Sequence, residues 1–62
     1  MTAAAVKVLA VLDPKGHTET EIALATGLRL IDVRTALDEL DLTGEVVEHS
    51  AAGLRSYAIA ER

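Results

Sequence analysis

Thr18-Glu19-Thr20-Glu21-Ile22-Ala23-Leu24-Ala25-Thr26-Gly27-Leu28 runs on to Val33, Leu37 and Leu40, and then to Gly44 and Val46-Val47. Thr18 with Glu21 forms a T-x-x-E capping box, in which each side chain satisfies a free amide at the start of a helix. The pattern predicts that helix from about Glu19 to Thr26, with Ile22 and Ala25 inward and Ala23 permitting close approach. Gly27 supplies the left-handed residue that ends it, and Leu28 plugs the core at the turn. Val33, Leu37 and Leu40 fall at i, i+4 and i+7, which predicts a second helix from about Leu30 to Asp41, its stripe flanked by Leu30 and Ala36. Gly44 closes that helix and leads into a strand. The whole is the sequence shape of a helix-turn-helix followed by a hairpin.

Working outward, Ala5, Val8, Leu9 and Leu12 share one side of a 3.6-residue period, with Val6 at its margin, and predict a first helix over residues 2 to about 12. Its far side holds Ala3, Ala4, Lys7, Ala10 and Val11. Asp13-Pro14-Lys15-Gly16 stops the helix, with Pro and Gly placed as a type I turn prefers. His17-Thr18 suits a very short first strand. Glu45-Val46-Val47-Glu48-His49 and Arg55-Ser56-Tyr57-Ala58-Ile59-Ala60 read as two strands, joined by Ser50-Ala51-Ala52-Gly53. The expected architecture is a single α+β domain over 1–62, three helices with a small antiparallel β-wing, in the order α-(β)-α-α-β-β.

Composition sets limits on this picture. Sixty-two residues suit one small domain, which buries only roughly 60% of its unfolded surface. There is no Cys, so disulfides and thiolate zinc sites are excluded. Tyr57 is the only aromatic residue, so the core must be aliphatic. No apolar run approaches the ~20 residues of a membrane span, and the start lacks the basic region of a signal peptide. A soluble cytoplasmic protein is expected, with no membrane partner.

The chemistry of catalysis is thin. His17 has Glu19 and Glu21 nearby, but residues i+2 and i+4 across a cap do not converge as metal ligands. His17 is expected to be a solvent-exposed strand residue. His49 and Glu48 are strand neighbours and point to opposite faces. A domain this small is also expected to lack room for a ligand pocket of ~300 Å³. Neither enzyme activity nor a cofactor nor a bound metal is expected.

A helix-turn-helix exists mostly to present one helix to a partner, usually DNA. With Val33, Leu37 and Leu40 inward, the second helix of the motif presents Ile31, Thr35, Asp38 and Glu39. Arg34 and Asp32 lie on opposite flanks, and Arg29 sits just before the helix. Arg29 and Arg34 suit base edges or phosphates, Thr35 a phosphate or a thymine methyl, and Ile31 a thymine methyl. Arg55, with His49 across the hairpin, is a candidate wing contact. The opposing reading makes Arg29 and Arg34 solvated charges paired with Asp32, Asp38 or Glu39, and Arg55 a guard against edge-strand aggregation. Charge sharpens the choice, because six Lys/Arg stand against ten Asp/Glu for a net −4, whereas DNA affinity rests on phosphate neutralisation. Tyr57, in phase with Arg55 and Ile59, reads as core rather than a base-stacking residue.

Thr18-x-x-Glu21-Ile22-Ala23-x-x-x-Gly27-Leu28, with Val33-x-x-x-Leu37-x-x-Leu40-x-x-x-Gly44-x-Val46, resembles the winged helix-turn-helix domains of MarR-like and ArsR-like regulators. Leu9-x-x-Leu12-Asp13-Pro14 and Leu37-Asp38-Glu39-Leu40-Asp41-Leu42-x-Gly44 are most similar to the C-terminal winged helix of the DNA-processing protein A (Smf) family. The resemblance implies a DNA-associated, regulatory role, with Arg29, Arg34 and Thr35 at recognition-helix positions and Arg55 in the wing. Two departures stand out. Arg29 replaces the usual Ser, Thr or Pro that opens the recognition helix, and the presented face has more acids than bases.

The leading expectation is therefore a small DNA-binding protein of regulator type. The alternative is a winged helix used for protein contacts or dimerisation. A homodimer through the first helix is a further expectation, since paired winged helices set their recognition helices in successive major grooves about 34 Å apart.

Overall fold

In the computed structural model, which describes residues 1–60, three helices precede a two-stranded antiparallel sheet. Helix α1 spans Ala3–Val11, α2 Glu19–Thr26 and α3 Leu30–Leu42, followed by β1 Val46–Ala51 and β2 Leu54–Ile59. The layout is that of a winged helix, as the spacing predicts.

Each helix boundary has a local cause. The Thr2 hydroxyl accepts a hydrogen bond from the Ala5 amide at 3.1 Å and opens α1, a cap that the reading from apolar periodicity alone passes over. Both halves of the Thr18–Glu21 capping box form, at 3.0 and 3.2 Å, and open α2. Gly27 ends α2 at φ +74°, its amide donating to the Ala23 carbonyl at 2.9 Å. Helix α3 opens at Arg29 without any side-chain cap.

Ala5, Val8, Leu12, Ile22, Val33, Ala36, Leu37, Leu40, Val46 and Tyr57 form one buried cluster. Leu9, Leu28 and Ile59 pack at its edge, as expected. Two expectations about the helices need correction. Ala25 is exposed, and its place on the inner side of α2 is taken by Thr26. The Thr26 hydroxyl donates to the Ile22 carbonyl at 2.8 Å, so a polar side chain sits half-buried without an orphaned hydrogen bond. Val11 and Ala4 pack against the core instead of facing water. The buried face of α1 is wider than one stripe because α1 lies against both α2 and α3.

The hairpin also differs in detail. Residues 50 and 51 belong to β1, pairing with Arg55 and Leu54, so only Ala52 and Gly53 form the connection. Both take positive φ, +52° and +79°, as a two-residue type I′ hairpin turn requires. That turn is usually announced by Asn-Gly or Asp-Gly, and Ala52 hides it. The same register sets Ser50, not His49, opposite Arg55, while His49 faces Ser56. On the other edge of β2, His17 forms a single antiparallel bridge with Tyr57, the remnant of the expected first strand.

Candidate functional site

The exposed face of α3 descends from the burial of its opposite face. With Val33, Ala36, Leu37 and Leu40 in the core, Ile31, Arg34, Thr35 and Asp38 are left in solvent. Glu39, expected on that face, is turned toward α1, where its Oε2 accepts a hydrogen bond from the Thr2 amide at 3.4 Å. Ile31 is 59% exposed, a large apolar side chain outside the core cluster. The Thr35 hydroxyl donates to the Ile31 carbonyl at 2.9 Å, which leaves its oxygen lone pairs outward.

The two arginines of this segment are both held by carboxylates. Arg29 meets Asp32 through Nε–Oδ2 at 2.9 Å, with its side chain 80% exposed. The adjacent Asp32, by hydrogen bond and then by charge, raises the Arg29 pKa further above its ordinary value. Arg34 does not pair with Asp32, Asp38 or Glu39. Its Nε lies 2.7 Å from Oε2 of Glu19, the first residue of α2.

Arg34 and Arg55 come together. They line one open cleft of about 570 Å³ between the start of α2, the outer face of α3 and the wing tip. Glu19, Thr20, Asp38 and Leu54 line it as well, with Tyr57 at its inner wall. The expectation that so small a domain has no room for such a space is therefore wrong, because the cleft forms between the wing and the helices rather than inside the core. Arg29, Ile31, Thr35 and Lys15 do not line it. The Tyr57 hydroxyl donates to Glu48 Oε1 at 3.1 Å. Burial, followed by the Glu48 carboxylate, raises the Tyr57 pKa, so the phenol stays neutral and serves as a structural donor.

A second cluster links the turn after α1 to the start of α2. His17 is half-buried rather than exposed, with Nε2 3.0 Å from Asp13 Oδ2 and Nδ1 3.8 Å from Glu21 Oε2. The Asp13 contact is close but is not an aligned hydrogen bond. Asp13 is held below the ordinary carboxylate value chiefly by the adjacent His17 side chain and then by the Lys15 amide. Glu21 is lowered chiefly by the Thr18 amide that it caps. Its sequence signal was the i, i+4, i+8 spacing of Asp13, His17 and Glu21, obscured by the turn between them. Among the described residues no group of three His, Cys, Asp or Glu is arranged to hold a metal ion, and no helix is long and apolar enough to cross a membrane.

Comparison with protein-family models, curated proteins and solved structures returns no significant match. Any functional reading therefore rests on the site itself.

Proposed function

We propose that this chain is a small, non-enzymatic, cytoplasmic DNA-binding protein of the transcription-regulator type. It lays the exposed face of α3 in the major groove of duplex DNA and reaches flanking backbone with the wing. The observation that carries this reading is the meeting of Arg34, from α3, with Arg55, from β2, on one cleft. Two guanidinium groups from separate elements on one cleft suit neighbouring phosphates beside an inserted helix. Ile31 and Thr35 face the bases from the first half of α3, and Arg29 stands at the entry of the helix, within reach of phosphate. With a net charge of −4, few phosphates are neutralised, so binding to random sequence is weak and specificity rests on the α3 face. The same reading includes pairing of two chains through the exposed side of α1.

A second reading, a module for protein contacts, is favoured by a different observation. Leu24, Ile31 and Leu54 are 82%, 59% and 69% exposed, while both arginines of the α3 segment are already paired with acids. Fluorescence anisotropy of labelled random duplex DNA, titrated at several salt concentrations, separates the two. The DNA-binding reading expects log K to fall linearly with log salt, by about 0.9 per phosphate bound. Absence of binding at low salt would overturn it in favour of the second.

A further inference from the structure

We propose that Glu19 acts as an internal stand-in for a DNA phosphate, occupying Arg34 and thereby setting the affinity of the cleft for duplex DNA. The proposal rests on the DNA-binding reading above. Among the described ion pairs, Arg34 Nε–Glu19 Oε2 is the shortest, at 2.7 Å. The partners are fifteen residues apart, so the pair is made by the docking of α2 on α3 rather than by neighbours on one helix. The Glu19 side chain is sheltered at 21% exposure, whereas Arg34 is 58% exposed. The carboxylate is thus held in place while the guanidinium remains open to an incoming anion.

Carboxylate and phosphate oxygens compete for the same planar donors, since both accept short charge-assisted hydrogen bonds from arginine. A phosphate approaching the cleft therefore takes the Nε edge of Arg34, the edge already held by Glu19, only by displacing that carboxylate. Arg55 lines the same cleft and has no carboxylate partner among the described ion pairs. Asp38 lines it too, so Arg34 released from Glu19 still sits beside one acid. The arrangement makes Arg55 the first contact and Arg34 the conditional one. Binding is restrained unless the rest of the interface compensates for opening the pair, which favours a matched site over random DNA.

The test is a double-mutant cycle on DNA affinity. Glu19→Gln should strengthen binding about two- to fivefold at low salt, the equilibrium factor for breaking an exposed ion pair. It should also steepen the salt dependence toward one further bound phosphate, about 0.9 in log–log slope. In an Arg34→Ala background the Glu19→Gln gain should vanish. Simple removal of a negative charge would instead raise affinity alike in both backgrounds, and that result overturns the proposal. Glu19→Asp withdraws the carboxylate while keeping the net charge, and should reproduce part of the gain. Unchanged affinity in both Glu19 variants, with thermal midpoints near wild type, overturns the proposal but leaves the DNA-binding reading standing. No binding by wild type or by either Glu19 variant at low salt overturns both.

Discussion

His17 and Tyr57 exchange both of their backbone hydrogen bonds, each 2.8 Å long, which joins the residue before the α2 cap to the middle of β2. Close by, the Ile59 amide donates to the Asp13 carbonyl at 3.1 Å. These bonds fasten the wing to the helix-turn-helix along its inner edge. Because the Tyr57 side chain is also in the core, the wing leaves the helices at a set angle. The cleft that joins Arg34 to Arg55 is the space left between them.

The approach to that bridge depends on Gly16. It adopts φ +100°, and a Cβ there would lie 3.4 Å from the Ser56 Oγ. Gly16→Ala should therefore destabilise the domain by about 1–3 kcal/mol, the range for strained non-glycine backbone. Urea denaturation checks it, and an unchanged midpoint would show that the turn relaxes freely.

Ala52 presents the opposite case. It holds φ +52° in the hairpin turn, a left-handed conformation that costs an ordinary residue roughly 1–2 kcal/mol. Asn tolerates it and is the preferred residue at this position of a type I′ turn. Ala52→Asn should stabilise the domain by up to about 1 kcal/mol, raising the thermal midpoint by about 4–8 °C for a chain of this size. A midpoint at or below that of wild type would argue against a type I′ connection.

Arg34 and Arg55 should act together on DNA. Replacing both by Ala should weaken binding to duplex DNA and flatten its log–log salt slope by about 0.9 for each phosphate no longer neutralised. Equal affinity and slope in the double variant would remove these two residues from the interface.

Acid should destabilise the domain through Asp13 and Glu21. Both carboxyls are lowered in the folded state from ordinary values of 3.8 and 4.5. The unfolded chain therefore binds more protons than the folded one in this range, and stability rises with pH there. The contribution is complete above the unfolded values and is lost as pH falls through the folded ones. Thermal midpoints should drop between about pH 5 and pH 3. An Asp13→Asn, Glu21→Gln double variant, which keeps the capping geometry, should show a shallower drop, and a drop as steep as that of wild type would rule these two groups out.

The proposed pairing of chains rests on Val6 of α1. Val11 packs against the core, and Val6, 54% exposed between Ala3, Lys7 and Ala10, is the large apolar side chain left outside. Sedimentation across micromolar to millimolar concentrations should show a dimer that Val6→Glu separates without unfolding. A wild-type monomer throughout that range would end the idea.

What could be read from the chain itself was whatever short-range chemistry enforces. The capping box, the left-handed Gly27 and the i, i+4, i+7 stripe act within one or two turns of helix, so the order of residues alone places α2, the tight turn and α3. Exposure of Ile31, Arg34 and Thr35 follows from the same stripe, because burying one side of a helix leaves the other in water. Tertiary packing decided the rest. Thr26 turns inward because the docking of α2 buries the face that carries Ile22, one helical turn earlier, and whether Val11 is covered depended on how many elements α1 touches. The hairpin register followed from a left-handed alanine that no residue preference announces. The choice of Glu19 over nearer acids as the partner of Arg34 arose because α2 docks its first turn against α3, fifteen residues away in sequence. Charge pairing between separate helices depends on their relative placement, and that placement is a property of the assembled core rather than of any local stretch of the chain.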